Sequence, residues 1–327
     1  MEIIWSILAI GGLGAAFGIL LSVASKKLAV KKDEKVVAVR ENLPGANCGG
    51  CGFPGCDGFA EALAAGNAPL GGCAVMGHAA KKKVAEILGV EAGEAKPKAA
   101  RIMCLGKNGC KDKFVYEGAE DCRAAVALAG GFRNCEFSCI GLGTCAKVCK
   151  FGAITMGDHG IADIDLMKCT GCGTCVKACP KNTIEVMDLD IDIYPACRNS
   201  HRGIKVKEVC EVGCLSCGIC AKSCPFDAIT MVEGLPRVDY SKCRECHICV
   251  DKCPRNTIIR TKPIKRARIL ADKCIGCHLC AKACPFGAIE GEIKQTHIIH
   301  DDCRGCGMCF EKCKKGAIVF EEVEDSI

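Results

Sequence analysis

The chain has 327 residues, a net charge of +6 and only 5% aromatic residues, yet it carries 33 cysteines. An odd count in a chain this long excludes the disulfide framework of a small secreted domain, and cysteines spaced two apart cannot staple one another without strain. The 50% apolar share is swollen by cysteine and alanine, so bound metal must replace part of a packed core. Metal-binding free energy then becomes folding free energy, and the metal-free chain is expected to be largely unfolded beyond its first helix.

Residues 3–24 (IIWSILAIGGLGAAFGILLSVA) carry no charge, which is long enough for one bilayer span in contact with lipid. Gly14 and Gly18 form a G-x-x-x-G face for close helix approach. Lys26, Lys27, Lys31 and Lys32 follow while only Glu2 precedes, which predicts a single-pass anchor in the inner cell membrane with the bulk in the cytoplasm. A cleaved signal peptide would have its charges the other way round. KKDEKVVAVRENLPG then reads as a linker.

A first cysteine block follows. Cys48, Cys51, Cys56 and Cys73 have the spacing C-x2-C-x4-C-x16-C and supply four thiolates to one cluster, with glycines that let backbone amides approach its sulfurs. DGFAEALAAG (57–66) predicts a short helix that starts near Asp57 and stops at Gly66. Residues 79–100 read as a helix (KKKVAEILGV) and a linker (EAGEAKPKAA).

From residue 101 the chain repeats. Five runs have the spacing C-x2-C-x2-C-x3-C, four of them followed by proline. This is the spacing of two-cluster bacterial ferredoxins, in which the fourth cysteine ligates the other cluster of the pair. Structural zinc, which takes well-separated C-x2-C pairs, does not match it. Near-copies follow these runs and the irregular motif ending at Cys149 (KFGAI, PKNTI, PFDAI, PRNTI, PFGAI, KKGAI), and the motifs pair at about 30 residues, a period that marks tandem modules. The expected fold is α+β. An anchor (1–26) precedes a small four-cysteine domain with its linker (27–100), then three ferredoxin units at 101–192, 193–262 and 263–327, with strands AITM, IEVMD, AITMV, TIIR, AIEG and AIVF.

The pairing rule assigns Cys214, Cys217, Cys220 and Cys253 to one cluster of the second unit, and Cys224, Cys243, Cys246 and Cys249 to the other. In the third unit the sets are Cys274, Cys277, Cys280 and Cys313, then Cys284, Cys303, Cys306 and Cys309. In the first unit Cys149, Cys169, Cys172 and Cys175 make one set. Its leading motif departs from the pattern: Cys139, Cys145 and Cys179 align, but Leu142 stands where Cys217 stands in the second unit. The simplest repair is that Cys135 supplies the missing ligand. Seven clusters use 28 cysteines. Four of the remaining Cys104, Cys110, Cys122, Cys197 and Cys210 could bind an eighth.

His247 and His278 lie inside complete cysteine runs, where they tune or cover a cluster rather than ligate it. Lys150 and Lys314 replace the proline after a fourth cysteine, and a cation there should raise a cluster's potential. The basic runs at 81–83 and 262–268 (KPIKRAR) read as solvated surface or as a docking face for an acidic electron carrier. They lack the aromatic interleaving of a nucleic-acid site, so nucleic acid is not an expected partner. With no dinucleotide fingerprint, P-loop or flavin motif, no flavin or nucleotide is expected on this chain, and its chemistry belongs to its clusters.

The order of apolar helix, LPGANCGGCGFPGCDGFAEAL and ferredoxin motifs resembles the B subunit of the Rnf complex, the ion-translocating ferredoxin:NAD oxidoreductase of bacteria. EDCRAAVALAGGFRNCEFSCIGLGTCAKVC is similar to the extended multi-ferredoxin form found in anaerobes. The resemblance implies an electron-entry subunit on the cytoplasmic face. It would take electrons from soluble ferredoxin and pass them to membrane and flavin subunits, with Cys48, Cys51, Cys56 and Cys73 nearest the membrane. The alternatives are a polyferredoxin subunit of a hydrogenase or formate-oxidising complex, and a metal-storage scaffold.

Overall fold

The computed structural model describes residues 2–27, 33–91, 96–106, 109–158 and 160–323, with side chains omitted at 2–10, 25–27 and 78. The chain divides into two compact units, one of residues 1–47, 52–72 and 76–93, the other of 48–51, 73–75 and 94–327.

The first unit is helical. Helix α1 runs Glu2–Lys27, and among the described residues no helix is long and apolar enough to cross a membrane. The stretch read as a linker after it holds a helix, α2 (Glu34–Glu41), because the Asp33 carboxylate accepts the Lys35 N–H at 2.9 Å and caps it. Helix α3 (Gly55–Ala64) and helix α4 (His78–Leu88) follow the expected segments, and Gly89 ends α4 in the left-handed conformation. Val39, Phe59, Leu63 and Val84 are buried among these helices, and Arg40 Nε meets the Asp57 carboxylate at 3.2 Å.

The second unit repeats one pattern three times. In the first copy strand β1 (Lys98–Ile102) precedes helices α5 (Cys122–Ala127) and α6 (Thr144–Lys147), the hairpin β2 (Ile154–Met156) and β3 (Ala162–Ile164), helix α7 (Thr174–Ala178) and strand β4 (Ile184–Asp188). The second copy has β5 (Ile193–Pro195), α8 (Ile204–Val209), α9 (Ile219–Lys222), β6 (Ile229–Val232), β7 (Leu235–Val238), α10 (Ile248–Asp251) and β8 (Ile258–Arg260). The third has β9 (Ile264–Ile269), α11 (Leu279–Ala283), β10 (Ile289–Glu290), β11 (Ile298–Ile299), α12 (Met308–Lys312) and β12 (Ile318–Val323).

In each copy the first strand pairs antiparallel with the last, β1 with β4, β5 with β8 and β9 with β12, while the middle two strands form a hairpin. The strands expected after each motif form, since their β-branched residues suit a pleated surface. The opening strands β1, β5 and β9 went unread. Lys98–Ile102 overlaps the expected linker, and β9 lies in the basic run. There Arg268 Nε meets Glu321 at 2.6 Å, Arg266 meets Asp301 at 3.0 Å and Lys265 meets Glu322 at 4.0 Å, so the run's charge is matched locally. Two-stranded sheets are marginal alone. Each copy's core accordingly mixes isoleucine with cysteine: Ile154 and Ile184 with Cys145 and Cys175, Ile229 and Ile258 with Cys220 and Cys249, Ile289 and Ile318 with Cys280 and Cys309.

Candidate metal centres

Each cysteine loop turns on residues with positive φ. The third position of the motif is Gly171, Gly276 or Gly305 in the first and third copies and Ser216 or Glu245 in the second, all in the left-handed region. At the glycines the loop lies against neighbouring backbone. A Cβ on Gly171 would come within 2.5 Å of Lys98 O, on Gly276 within 2.5 Å of Gln295 N, and on Gly305 within 2.0 Å of Lys265 O. That approach brings the opening strands to the sulfurs: Ala100 N–H donates to Cys169 Sγ at 3.3 Å and Ala267 N–H to Cys303 Sγ at 3.4 Å. Sequence reading could not see these donors, because a backbone N–H leaves no side-chain signature.

In the second and third copies several thiols lie near one another. Cys274, Cys277, Cys280 and Cys313 line one cavity of about 180 Å³, which Lys273, Lys314 and Lys315 also border. Cys214, Cys217, Cys220 and Cys253 line another of about 20 Å³. Cys309 lies within electrostatic reach of Cys303, Cys306 and Cys284, and Cys249 of Cys246, Cys243 and Cys224. In the first copy Cys175 is likewise in reach of Cys169, Cys172 and Cys149.

Around the leading motif of the first copy the thiols fall into several groups. Cys145 lies in reach of Cys122 and Cys179, and Cys122 packs with Ile140 and Leu142. Cys135 instead packs with Cys110 and Cys210. Cys104 packs beside Cys139, and Cys197 accepts the Cys214 N–H at 3.4 Å. In the N-terminal block Asn47 Oδ1 accepts the Cys56 N–H at 2.7 Å and Thr174 Oγ1 donates to Cys48 O at 3.4 Å. Cys48, Cys51 and Cys73 fall in the second compact unit and Cys56 in the first.

Burial pushes the thiols of Cys139, Cys249 and Cys309 up to about 12, and those of Cys145, Cys175 and Cys214 to about 11, with like-charge neighbours adding to the shift. They are neutral at pH 7 until iron displaces their protons, so loading releases protons. Four convergent thiols, backbone N–H donors aimed at sulfur and a surrounding of small apolar residues fit a [4Fe–4S] cluster. Among the described residues no three Cys, His, Asp or Glu side chains close on a single metal ion.

The fourth cysteine of two motifs has a hydroxyl partner: Thr183 Oγ1 lies 3.2 Å from Cys179 Sγ and Thr257 Oγ1 lies 3.2 Å from Cys253 Sγ. At the matching place in the third copy Ala317 offers only its N–H to Cys313 Sγ, at 3.3 Å. His247 and His278 hold positions in the left-handed region, φ 58 and 63, where glycine stands in other motifs. Each is tied to another side chain. His247 Nε2 lies 2.6 Å from Asp192 Oδ2 and His278 Nδ1 lies 2.8 Å from His297 Nε2. Burial works against the Asp192 carboxylate, but His247 and the N–H groups of Thr261 and Lys262 outweigh it and hold Asp192 below its ordinary range.

Comparison with known proteins matches residues 43–75 to the family described as "Putative Fe-S cluster". Residues 138–183, 168–228, 242–288, 213–258 and 267–320 match 4Fe-4S dicluster domains. The chain is 44% identical over 236 residues to the B subunit of the Na(+)-translocating ferredoxin:NAD(+) oxidoreductase complex of Acetobacterium woodii, covering 72% of this chain and 71% of that one. It is 39% identical to the B subunit of the ion-translocating oxidoreductase complex of Methanosarcina acetivorans, covering 73% and 90%. It is 42% identical to the B subunit of the proton-translocating ferredoxin:NAD(+) oxidoreductase complex of Clostridium ljungdahlii, covering 71% and 82%.

Proposed function

The chain belongs to the family of B subunits of ion-translocating ferredoxin:NAD(+) oxidoreductase complexes, and from that premise we propose that it takes electrons from reduced ferredoxin at its C-terminal copies and delivers them through its N-terminal cysteine block to the membrane subunits. It is an iron–sulfur electron-transfer subunit carrying several [4Fe–4S] clusters. When bound, these supply one-electron redox chemistry, and the protein sets their spacing and potentials.

The observation that carries the reading is the succession of adjoining thiol sets. The two sets of the third copy share one core. Cys306 of that copy lies in reach of Cys246 of the second, where Arg244 pairs with Glu311 and Arg304 with Asp251. Cys249 adjoins Cys220 within the second copy, and Cys145 adjoins Cys175 within the first. Cys172 then lies against Gly50 of the N-terminal block.

The uncharged stretch 3–24, with Leu13, Phe17, Ile19, Leu20 and Leu21 exposed, supports a lipid-embedded anchor that keeps the clusters on the cytoplasmic side. The relatives' names differ in the ion moved, sodium in one and proton in another, so the coupling ion is set outside the features these chains share. The test is anaerobic mixing of the full chain with ferredoxin reduced beforehand. Bleaching of the visible iron–sulfur absorbance within the mixing time is expected. A chain that dithionite reduces but ferredoxin does not would overturn the reading.

A further inference from the structure

The succession of thiol sets has one gap, between the leading sets of the first and second copies. Five cysteines converge there: Cys104, Cys110, Cys135, Cys197 and Cys210. Four of them form two equivalent pairs. Cys104 and Cys197 each stand two residues beyond an opening strand, β1 ending at Ile102 and β5 at Pro195. Cys104 Sγ accepts the Gly106 N–H at 3.3 Å and that of Cys139. Cys197 Sγ accepts the Asn199 N–H at 3.5 Å and that of Cys214 at 3.4 Å. Cys139 and Cys214 are themselves equivalent, as the first cysteines of the two leading motifs. Cys135 and Cys210 each precede them by four residues, and the N–H groups of Phe137 and Val212 point to their sulfurs.

All four thiols thus accept from the backbone N–H two residues on. The expected ligands Cys214, Cys243, Cys246 and Cys306 do the same with Ser216, Glu245, Ile248 and Met308. Asn199, fully buried, adds its Nδ2 at 3.5 Å from Cys135 Sγ. The pairs also meet each other: Cys104 lies in reach of Cys197, Cys135 of Cys210, and Cys210 of Cys104. Cys110 sits among them differently. Its thiol donates to the adjacent Lys111 carbonyl at 3.8 Å, and its sulfur hydrogen-bonds with the Cys135 and Cys210 thiols and takes its backbone N–H from the distant Cys135 rather than from its own loop.

With Cys135 committed here, the first copy's leading set needs another ligand. Cys122 lies beside Cys145 and packs on Leu142, the residue that replaces the missing motif cysteine. The Thr144 hydroxyl holds it by accepting the Cys122 N–H at 2.7 Å.

We propose that Cys104, Cys135, Cys197 and Cys210 hold an eighth [4Fe–4S] cluster joining the first and second ferredoxin copies, and that Cys122 completes the set of Cys139, Cys145 and Cys179. Eight sets of four then use 32 of the 33 cysteines, leaving Cys110 as a free thiol. The proposal deepens the electron-transfer reading and rests on it, because this site turns two separate groups of centres into one series. Cys214 N–H donates to Cys197 on one side and Cys139 N–H to Cys104 on the other, so each flank of the site touches the next set.

The experiment is iron and acid-labile sulfide per full-length chain, purified anaerobically, with electron paramagnetic resonance after dithionite reduction. Wild type and Cys110→Ala are both expected near 32 iron atoms, about four per cluster. The double variant Cys104→Ala/Cys197→Ala is expected near 28, with the other signals retained. A wild-type value near 28 overturns the proposal. So does a Cys110→Ala chain that loses four iron atoms. Should the double variant fail to fold, the wild-type and Cys110→Ala counts still decide whether an eighth cluster forms without Cys110. Neither count depends on a partner, so failure of the ferredoxin reading would show separately, as a fully loaded chain that ferredoxin does not reduce.

Discussion

The threonines at 183 and 257 and the alanine at 317 distinguish otherwise equivalent motifs. A hydrogen bond to cluster sulfur favours the more negative reduced state, and a net bond of about 0.5–1.5 kcal/mol corresponds to roughly 20–60 mV for one electron. Thr257→Val removes the hydroxyl from Cys253 but keeps the backbone N–H, so a centre that takes Cys253 as a ligand should fall in potential by that amount. A redox titration followed by electron paramagnetic resonance reads it directly, and no shift would mean the hydroxyl does not reach the cluster's charge. His247 carries two opposed effects. Its left-handed backbone costs about 1–2 kcal/mol, while its buried contact with Asp192 offsets that through a charge-assisted bond. Both His247→Gly and His247→Ala lose the contact, but only alanine keeps the strain. Alanine should therefore be the less stable by about 1 kcal/mol in urea-driven cluster loss. The sequence singled out the two histidines because each lies inside a complete cysteine run. Their partners Asp192 and His297 were not legible there, since they lie 55 and 19 residues away.

The element that organises each copy is its opening strand. It pairs with the last strand, closes the module and, in the first and third copies, supplies an N–H to sulfur, yet as KAARI or IKRARI it carries no strong strand signal. Tertiary pairing overrides propensity in so short a segment. In the first and third copies Gly171 and Gly305 are what let this strand come near. Gly305→Ala would drive a Cβ to 2.0 Å from Lys265 O, so the third copy should lose iron on purification. Gly307→Ala has the same left-handed backbone, but its nearest neighbour would be Phe320 Cζ at 4.0 Å. It should keep its iron at a cost of about 1–2 kcal/mol. Equal iron content in the two variants would show that close approach is not what the glycine serves.

At the scale of the whole molecule, the second and third copies are joined by the reciprocal pairs Arg244–Glu311 and Arg304–Asp251. These side chains are about half exposed, and such surface pairs contribute about 0–1 kcal/mol each. Their weight should lie in register rather than stability. The double variant Arg244→Ala/Arg304→Ala should unfold within about 1–2 kcal/mol of wild type. Electron equilibration between these copies after a reducing pulse should slow, because the approach of Cys246 to Cys306 is no longer held in register. An unchanged rate would assign the contact to the strands and loops alone.

The sequence by itself determined the chemistry of this protein and its repeat. Cysteine spacing is local, and a C-x2-C-x2-C-x3-C run carries three of a cluster's four ligands within a dozen residues. The same locality placed the strands that follow each motif and the helices α3 and α4. Only the tertiary structure decided where Cys104, Cys122, Cys135, Cys197 and Cys210 gather, because their neighbours come from other segments and two different copies. It also decided that the basic run is a paired strand and that one copy's sulfurs meet the next. Those facts depend on which backbones approach, and the order of residues along the chain does not record that.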